Sequence, residues 1–136
     1  MKWIRNWFSN MRPCNEPFIC KDIAWNTVEN FFQAMKTDSE KERRHIASLN
    51  PYEAKQYIKT IPWRKDWTKE MALAVMEHGL RQKFAHGTSW HKRLMATQGD
   101  IVEVNNWNDT YWGVCNGKGE NHLGKLLMKI REEGYD

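Results

Sequence analysis

Glu29, Gln33 and Lys36 stand at i, i+4 and i+7 in the stretch WNTVENFFQAMK. On a helix turning about 100° per residue they share one edge. A carboxylate there can transfer a proton or stabilise developing positive charge. An amine whose pKa is lowered by its neighbours can capture a carbonyl as a Schiff base. The apolar residues of the same stretch half-bury that edge: Val28, Phe31, Phe32 and Met35 are spaced i, i+3, i+4, i+7, a stripe that requires a core. Plainer roles compete. Glu29 also suits the first turn of a helix, where the macrodipole favours a negative charge, and a lysine on a helix flank is ordinarily solvated.

A second set of chemistry-bearing residues lies near the C-terminus. Asp109 sits among Trp107, Tyr111 and Trp112, so a carboxylate is placed among rings able to stack on a base. Eight tryptophans in a chain of this size must largely build the core, however. The surrounding NNWNDTYWGVCNGKGEN is rich in Asn and Gly and reads as a long functional loop. Gly117 and Gly119 lead into a helix expected to be capped by Asn121, and exposed N–H groups at such an end suit an anion. The glycines equally suit a simple turn, and GKGENHLGK lacks Walker spacing. The expectation is that the Gly117 to Asn121 turn, with the amide of Asn10, holds a phosphate. The five histidines show no HExxH or paired ligand spacing, so no metal is expected. No cofactor is expected.

The elements that must position these residues are marked by their caps. Thr27 can open the first helix; SEKE from Ser39 has the capping-box pattern; NPYE places Pro51 directly after an Asn50 cap. Leu73, Met76, Leu80 and Phe84 keep a helical period through Thr68 to Phe84, which predicts the longest helix. Ser89 is expected to cap a short helix ending at Ala96. DIVEV from Asp100 to Val104 is the best strand, and Leu123, Leu126, Leu127 and Ile130 mark a last helix. The fold expected is mainly α with a small β element: a single compact multihelical domain over residues 1–136, its core built by the helices of Val28, Leu73 and Leu123.

Composition narrows the class. The chain has 136 residues, 21 Lys and Arg against 17 Asp and Glu, and a formal charge of +4. The charges are interleaved, which suits an anionic small molecule without requiring nucleic acid. No apolar run approaches a membrane span, and MKWIRNWFSN is too broken for a signal peptide, so a cytoplasmic protein without a membrane partner is expected. Cys14, Cys20 and Cys115 have no CxxC spacing and read as reduced and structural.

FSN at Phe8 to Asn10, WNTVENFFQAMK, RKDW at Arg64 to Trp67, KF at Lys83, DTYWG at Asp109 to Gly113 and GENHLGKLLMKIRE from Gly119 occur in the order seen in the NADAR, or YbiA-like, family. The resemblance runs through nearly the whole chain. It departs at Asn30, where a histidine is usual, and at Val114-Cys115, which replaces the usual residue-Gly after Trp-Gly. The resemblance implies an N-glycosidase that cleaves ribose from the nitrogen of a base, either ADP-ribose from guanine or phosphorylated ribosylamino-pyrimidines of the riboflavin pathway. Breaking a C1′–N bond builds oxocarbenium character, which a carboxylate stabilises while an acid protonates the departing nitrogen. Glu29 and Asp109 are the expected pair, with Lys36 as amine nucleophile. Asn10, Gln33, Trp112, Gly113, Gly119 and Asn121 are the expected substrate contacts. The partner is ADP-ribose or a ribosyl phosphate, extending to ADP-ribosylated nucleic acid. Two alternatives stay open: a non-catalytic module that grips ADP-ribose or NAD, and a small basic protein that binds single-stranded nucleic acid.

Overall fold

The structure, a computed structural model, describes residues 2–4 and 8–134. The chain divides into two compact units: Asn10–Lys83, and the N-terminal residues joined with Phe84 onward.

The Asn10–Lys83 unit opens with a hairpin of β2 (Phe18–Cys20) and β3 (Ile23–Trp25), antiparallel with Phe18 opposite Trp25. Its turn holds Lys21 and Asp22 at φ 57° and 60°, a left-handed pair with no glycine. The sequence reading missed the hairpin for that reason. Trp25 is fully buried and donates its indole N–H to the Cys20 carbonyl at 3.1 Å.

The helix α1 (Val28–Ala34) follows, with α2 (Glu40–Ser48), α3 (Pro51–Tyr57), a single 3₁₀ turn at Ile58–Thr60, and α4 (Lys69–Lys83). The Thr27 hydroxyl accepts the Asn30 N–H at 3.0 Å, and Ser39 accepts that of Glu42 at 3.2 Å. Asn50 and Glu53 cap each other reciprocally, at 2.8 and 3.0 Å, with Pro51 just inside. The stripe expected of α1 is buried: Val28, Phe31, Phe32 and Met35 are at most 5% exposed. Each such side chain contributes about 1.5–3 kcal/mol by leaving water. Phe31 and Met35 join Phe18, Ile23, Trp25, Ile46 and Ile58 in one cluster. Gly79 of α4 lets that helix close on α1, because a methyl group there would lie 3.0 Å from Val28 Cγ1 and 3.1 Å from the Phe31 ring. On α4 the buried face is Ala72, Met76, Gly79, Leu80 and Lys83, while Leu73 is only half-buried.

The second unit holds a parallel sheet in the order β1 (Lys2–Ile4), β4 (Ile101–Asn105), β5 (Val114–Cys115), with α5 (Ser89–Ala96) and α6 (His122–Glu133). Phe8, Phe84 and Trp90 meet edge to face. On α6 the buried apolar residues are Leu123, Leu127 and Ile130. Two caps correct the sequence reading. Thr88, one residue before Ser89, caps α5 by accepting the His91 N–H. Asn121 makes no side-chain cap on α6: it takes a left-handed conformation, φ 56°, and turns its amide onto β4 instead. There Oδ1 accepts the Glu103 N–H at 2.9 Å and Nδ2 donates to the Ile101 carbonyl at 2.8 Å. One side chain thus stands in for a strand. The loop expected between β4 and α6 is also not wholly irregular, since it contains β5.

The three cysteines are free thiols. Among the described residues no helix is long and apolar enough to cross a membrane.

Candidate active site

Within the Asn10–Lys83 unit the polar edge of α1 is assembled around Glu29. Its N–H donates to the Asn10 carbonyl at 3.2 Å, and its Oε2 accepts Gln33 Nε2 at 2.5 Å. That bond fixes the Gln33 amide, because the opposite orientation would face oxygen to a carboxylate oxygen. Asn10 Nδ2 donates to Met76 Sδ at 3.2 Å. The remaining oxygens, Gln33 Oε1 and Asn10 Oδ1, are buried and have no hydrogen-bond partner among the described residues.

Lys36 lies just beyond α1, on a tight last turn whose N–H reaches the Gln33 carbonyl at 3.2 Å. The helix therefore ends two residues short of the stretch read as helical, at Ala34. The Lys36 ammonium stands 5.0 Å from the centroid of Phe32 and 4.5 Å from that of Trp63. Trp63 is held by its indole N–H on the Ile58 carbonyl at 2.8 Å, and the next residue, Arg64, donates its N–H to the Lys36 carbonyl at 2.7 Å.

Burial lowers the Lys36 pKa from 10.5 to about 8; Glu29 opposes the change, while Lys55 and Lys59 add to it. Cation–π attraction favours the ammonium by about 0.5–1 kcal/mol per ring, and the two rings together oppose the fall from 10.5 to about 8 without cancelling it, so burial wins. Roughly a tenth of the molecules then carry a neutral amine at pH 7, against fewer than about one in a thousand for an ordinary lysine.

Asn30 faces away from this chemistry. Its Nδ2 donates to the Ile46 and Leu49 carbonyls, both at 2.9 Å, and its Oδ1 accepts the Thr27 hydroxyl. The departure from the family's histidine therefore falls where α1 is fastened to the end of α2.

In the second unit, Asn105 organises the loop that carries Asp109. Its Oδ1 accepts the N–H groups of Trp107 and Asp109 at 3.2 and 3.0 Å, and its Nδ2 donates to the Asp109 carbonyl at 2.7 Å. Asp109 Oδ1 accepts in turn from the Tyr111 and Trp112 N–H groups at 3.1 and 2.9 Å. Trp112 meets Tyr111 edge to face at 5.0 Å. Gly113 passes so close to β4 that a Cβ would lie 2.4 Å from the Glu103 carbonyl oxygen.

The turn expected to hold a phosphate has other work. Asn116 and Gly117, at φ 53° and 78°, close a two-residue turn in which Cys115 and Lys118 exchange backbone bonds at 2.8 and 3.0 Å. Gly119, at φ 153°, packs where a Cβ would lie 2.1 Å from the Gly113 oxygen. The N–H groups of Glu120, Asn121, His122 and Leu123 donate to the carbonyls of Thr110, Gly113, Tyr111 and Trp112 at 2.7, 3.4, 3.1 and 2.9 Å. The N–H groups of Lys118 and of Glu120 to Leu123 are thus engaged inside the loop, and Gly119 and Asn121 hold that loop together.

Asn10, Glu29, Gln33 and Lys36 thus gather in one unit; Asp109, Trp112, Gly113, Gly119 and Asn121 belong to the other. Sequence reasoning missed Trp63 and Asn105. Trp63 stands one residue before the RKDW motif, and Asn105 follows directly on the strand pattern.

A mainly helical fold with small sheet elements has a known counterpart. The chain matches the NADAR domain over residues 2–133. It is 38% identical to N-glycosidase YbiA of Shigella boydii, over 81% of this chain and 71% of that protein. It is 32% identical to N-glycosidase Npun_R5314 of Nostoc punctiforme, over 93% of this chain and 83% of that protein. The solved structure of Escherichia coli YbiA superposes with a TM-score of 0.80 at 34% identity, covering 96% of this chain and 83% of that one. The chain belongs to the NADAR family, a family of N-glycosidases.

Proposed function

We propose that this enzyme hydrolyses the C1′–N bond between a ribose and a nitrogen base, in ADP-ribose-linked bases such as ADP-ribosyl-guanine or in ribosylamino-pyrimidine phosphates of the riboflavin pathway. The observation that carries the reading is Lys36: an amine half-buried between Phe32 and Trp63, with its pKa lowered to about 8, in the field of Glu29. An exposed binding lysine has no need of such a setting, whereas an amine nucleophile does.

In the proposed reaction the bond from C1′ to the base breaks as the leaving nitrogen takes a proton, a step that only the family resemblance assigns to Asp109. The Glu29 carboxylate stabilises the positive charge that develops at C1′. The Lys36 nitrogen bonds to C1′, and the ring oxygen departs as the 4′-hydroxyl, leaving an iminium. Water then adds to C1′, releasing the sugar and regenerating the amine. Trp112 is assigned the stacking face for the base. Gly113, Gly119 and Asn121 shape the loop that carries Trp112 and Asp109.

Borohydride tests the covalent step. Added during turnover, it should reduce the iminium and leave a stable adduct, mapped by peptide mass spectrometry to Lys36. Lys36→Arg should abolish the adduct, since arginine keeps the charge but cannot act as an amine nucleophile. Cleavage by Lys36→Arg at the normal rate would exclude the iminium and leave direct attack by water.

A further inference from the structure

We infer that Gln33 Oε1 and Asn10 Oδ1 form an acceptor pair that reads the vicinal hydroxyls of the substrate ribose. The inference rests on the glycosidase reading and deepens it. Gln33 and Asn10 are 6% and 7% exposed, and these two oxygens are without a hydrogen-bond partner among the described residues. A buried acceptor left unmet is costly, so folded proteins rarely keep one without a use for it. Both residues adjoin Glu29, Gln33 through its side chain and Asn10 through its main-chain carbonyl.

Their orientation decides what they can bind. Each amide has a donor already committed, Gln33 to the Glu29 carboxylate and Asn10 to the Met76 sulfur. What remains unmet is oxygen beside a carboxylate, and that combination repels phosphate and attracts hydroxyl donors. A ribosyl substrate carries its 2′-hydroxyl on the carbon next to C1′, where Glu29 is assigned to act. A hydrogen bond to that hydroxyl strengthens as the ring gains oxocarbenium character, so the contact serves catalysis as well as selection. Asn10, expected from the sequence to hold a phosphate, is thereby reassigned to the sugar. Lys55 and Lys59, near enough to act on Lys36, carry charge suited to a phosphate of the same substrate.

The test compares kcat/KM for ADP-ribosyl-guanine and a ribosylamino-pyrimidine phosphate with counterparts lacking the 2′- or the 3′-hydroxyl of the scissile ribose. The proteins are the wild type, Gln33→Met and Asn10→Leu, near-isosteric changes that delete the acceptor. Dividing each ratio by that of the uncatalysed reaction removes the greater intrinsic lability of deoxyribosides. The wild type should favour the intact ribose, and at least one variant should lose that preference by roughly ten-fold while still cleaving the deoxy substrate. Variants that lose intact and deoxy substrates in equal proportion would overturn the inference and make the amides structural. So would a wild type with no preference, a readout that holds even if both variants misfold. A wild type inert on both intact substrates would instead overturn the glycosidase reading, and this inference with it.

Discussion

In the proposed reaction Lys36 must lose its proton to attack C1′, which ties turnover to pH. Its pKa lies at about 8, so activity should climb as pH rises through that value and fall below it as the amine becomes protonated. Trp63 supplies one of the rings shielding the amine, and it is itself 44% exposed. Trp63→Ala should let water reach the ammonium and move the ascending limb of the pH–rate profile upward; an unmoved limb would show that another group titrates there. Asp109→Asn is a clean change for a different reason. An asparagine oxygen can still accept the Tyr111 and Trp112 N–H groups, so the loop stands while the acid is lost. The variant should lose more rate, relative to the wild type, on poor leaving bases than on good ones, and a uniform loss would remove Asp109 as proton donor. At this scale the Glu29, Gln33 and Lys36 edge was legible because helical spacing is local. Trp63 was not, because its place over Lys36 depends on the path of the chain after α3.

The helices were legible for a similar reason. Thr27, Ser39 and Asn50 each satisfy N–H groups a few residues on, and the α1 stripe repeats with the helical period. The hairpin of β2 and β3 was hidden by a turn built from Lys21 and Asp22, which carry no glycine signal. The approach to α6 misled in the opposite sense. Glycines before a helix start resemble an anion cradle, yet Gly119 is required by a close approach of two backbones and Asn121 by an edge of β4. Only the fold shows where those N–H groups go. Gly119→Ala should therefore lower the melting temperature by several degrees, through a clash with the Gly113 oxygen that costs on the order of 1–3 kcal/mol. A calorimetric scan showing no change would mean that the loop relaxes freely.

Across the whole chain, the match to NADAR relatives accounts for the mainly helical fold with its small sheet elements, and interleaved charge fits a small anionic substrate better than a nucleic-acid tract. The proposed role of the α1 edge is glycoside cleavage, beyond binding alone. It is tested most directly by mass spectrometry of the products formed from ADP-ribosyl-guanine, a ribosylamino-pyrimidine phosphate and NAD by wild type and Glu29→Gln at equal occupancy. The wild type should release a free base and the matching sugar from at least one of the first two. Glu29→Gln should retain most of the affinity and cleave roughly 10²–10⁴-fold more slowly. Binding by the wild type with no base released, or a Glu29→Gln enzyme as fast as the wild type, would contradict the account.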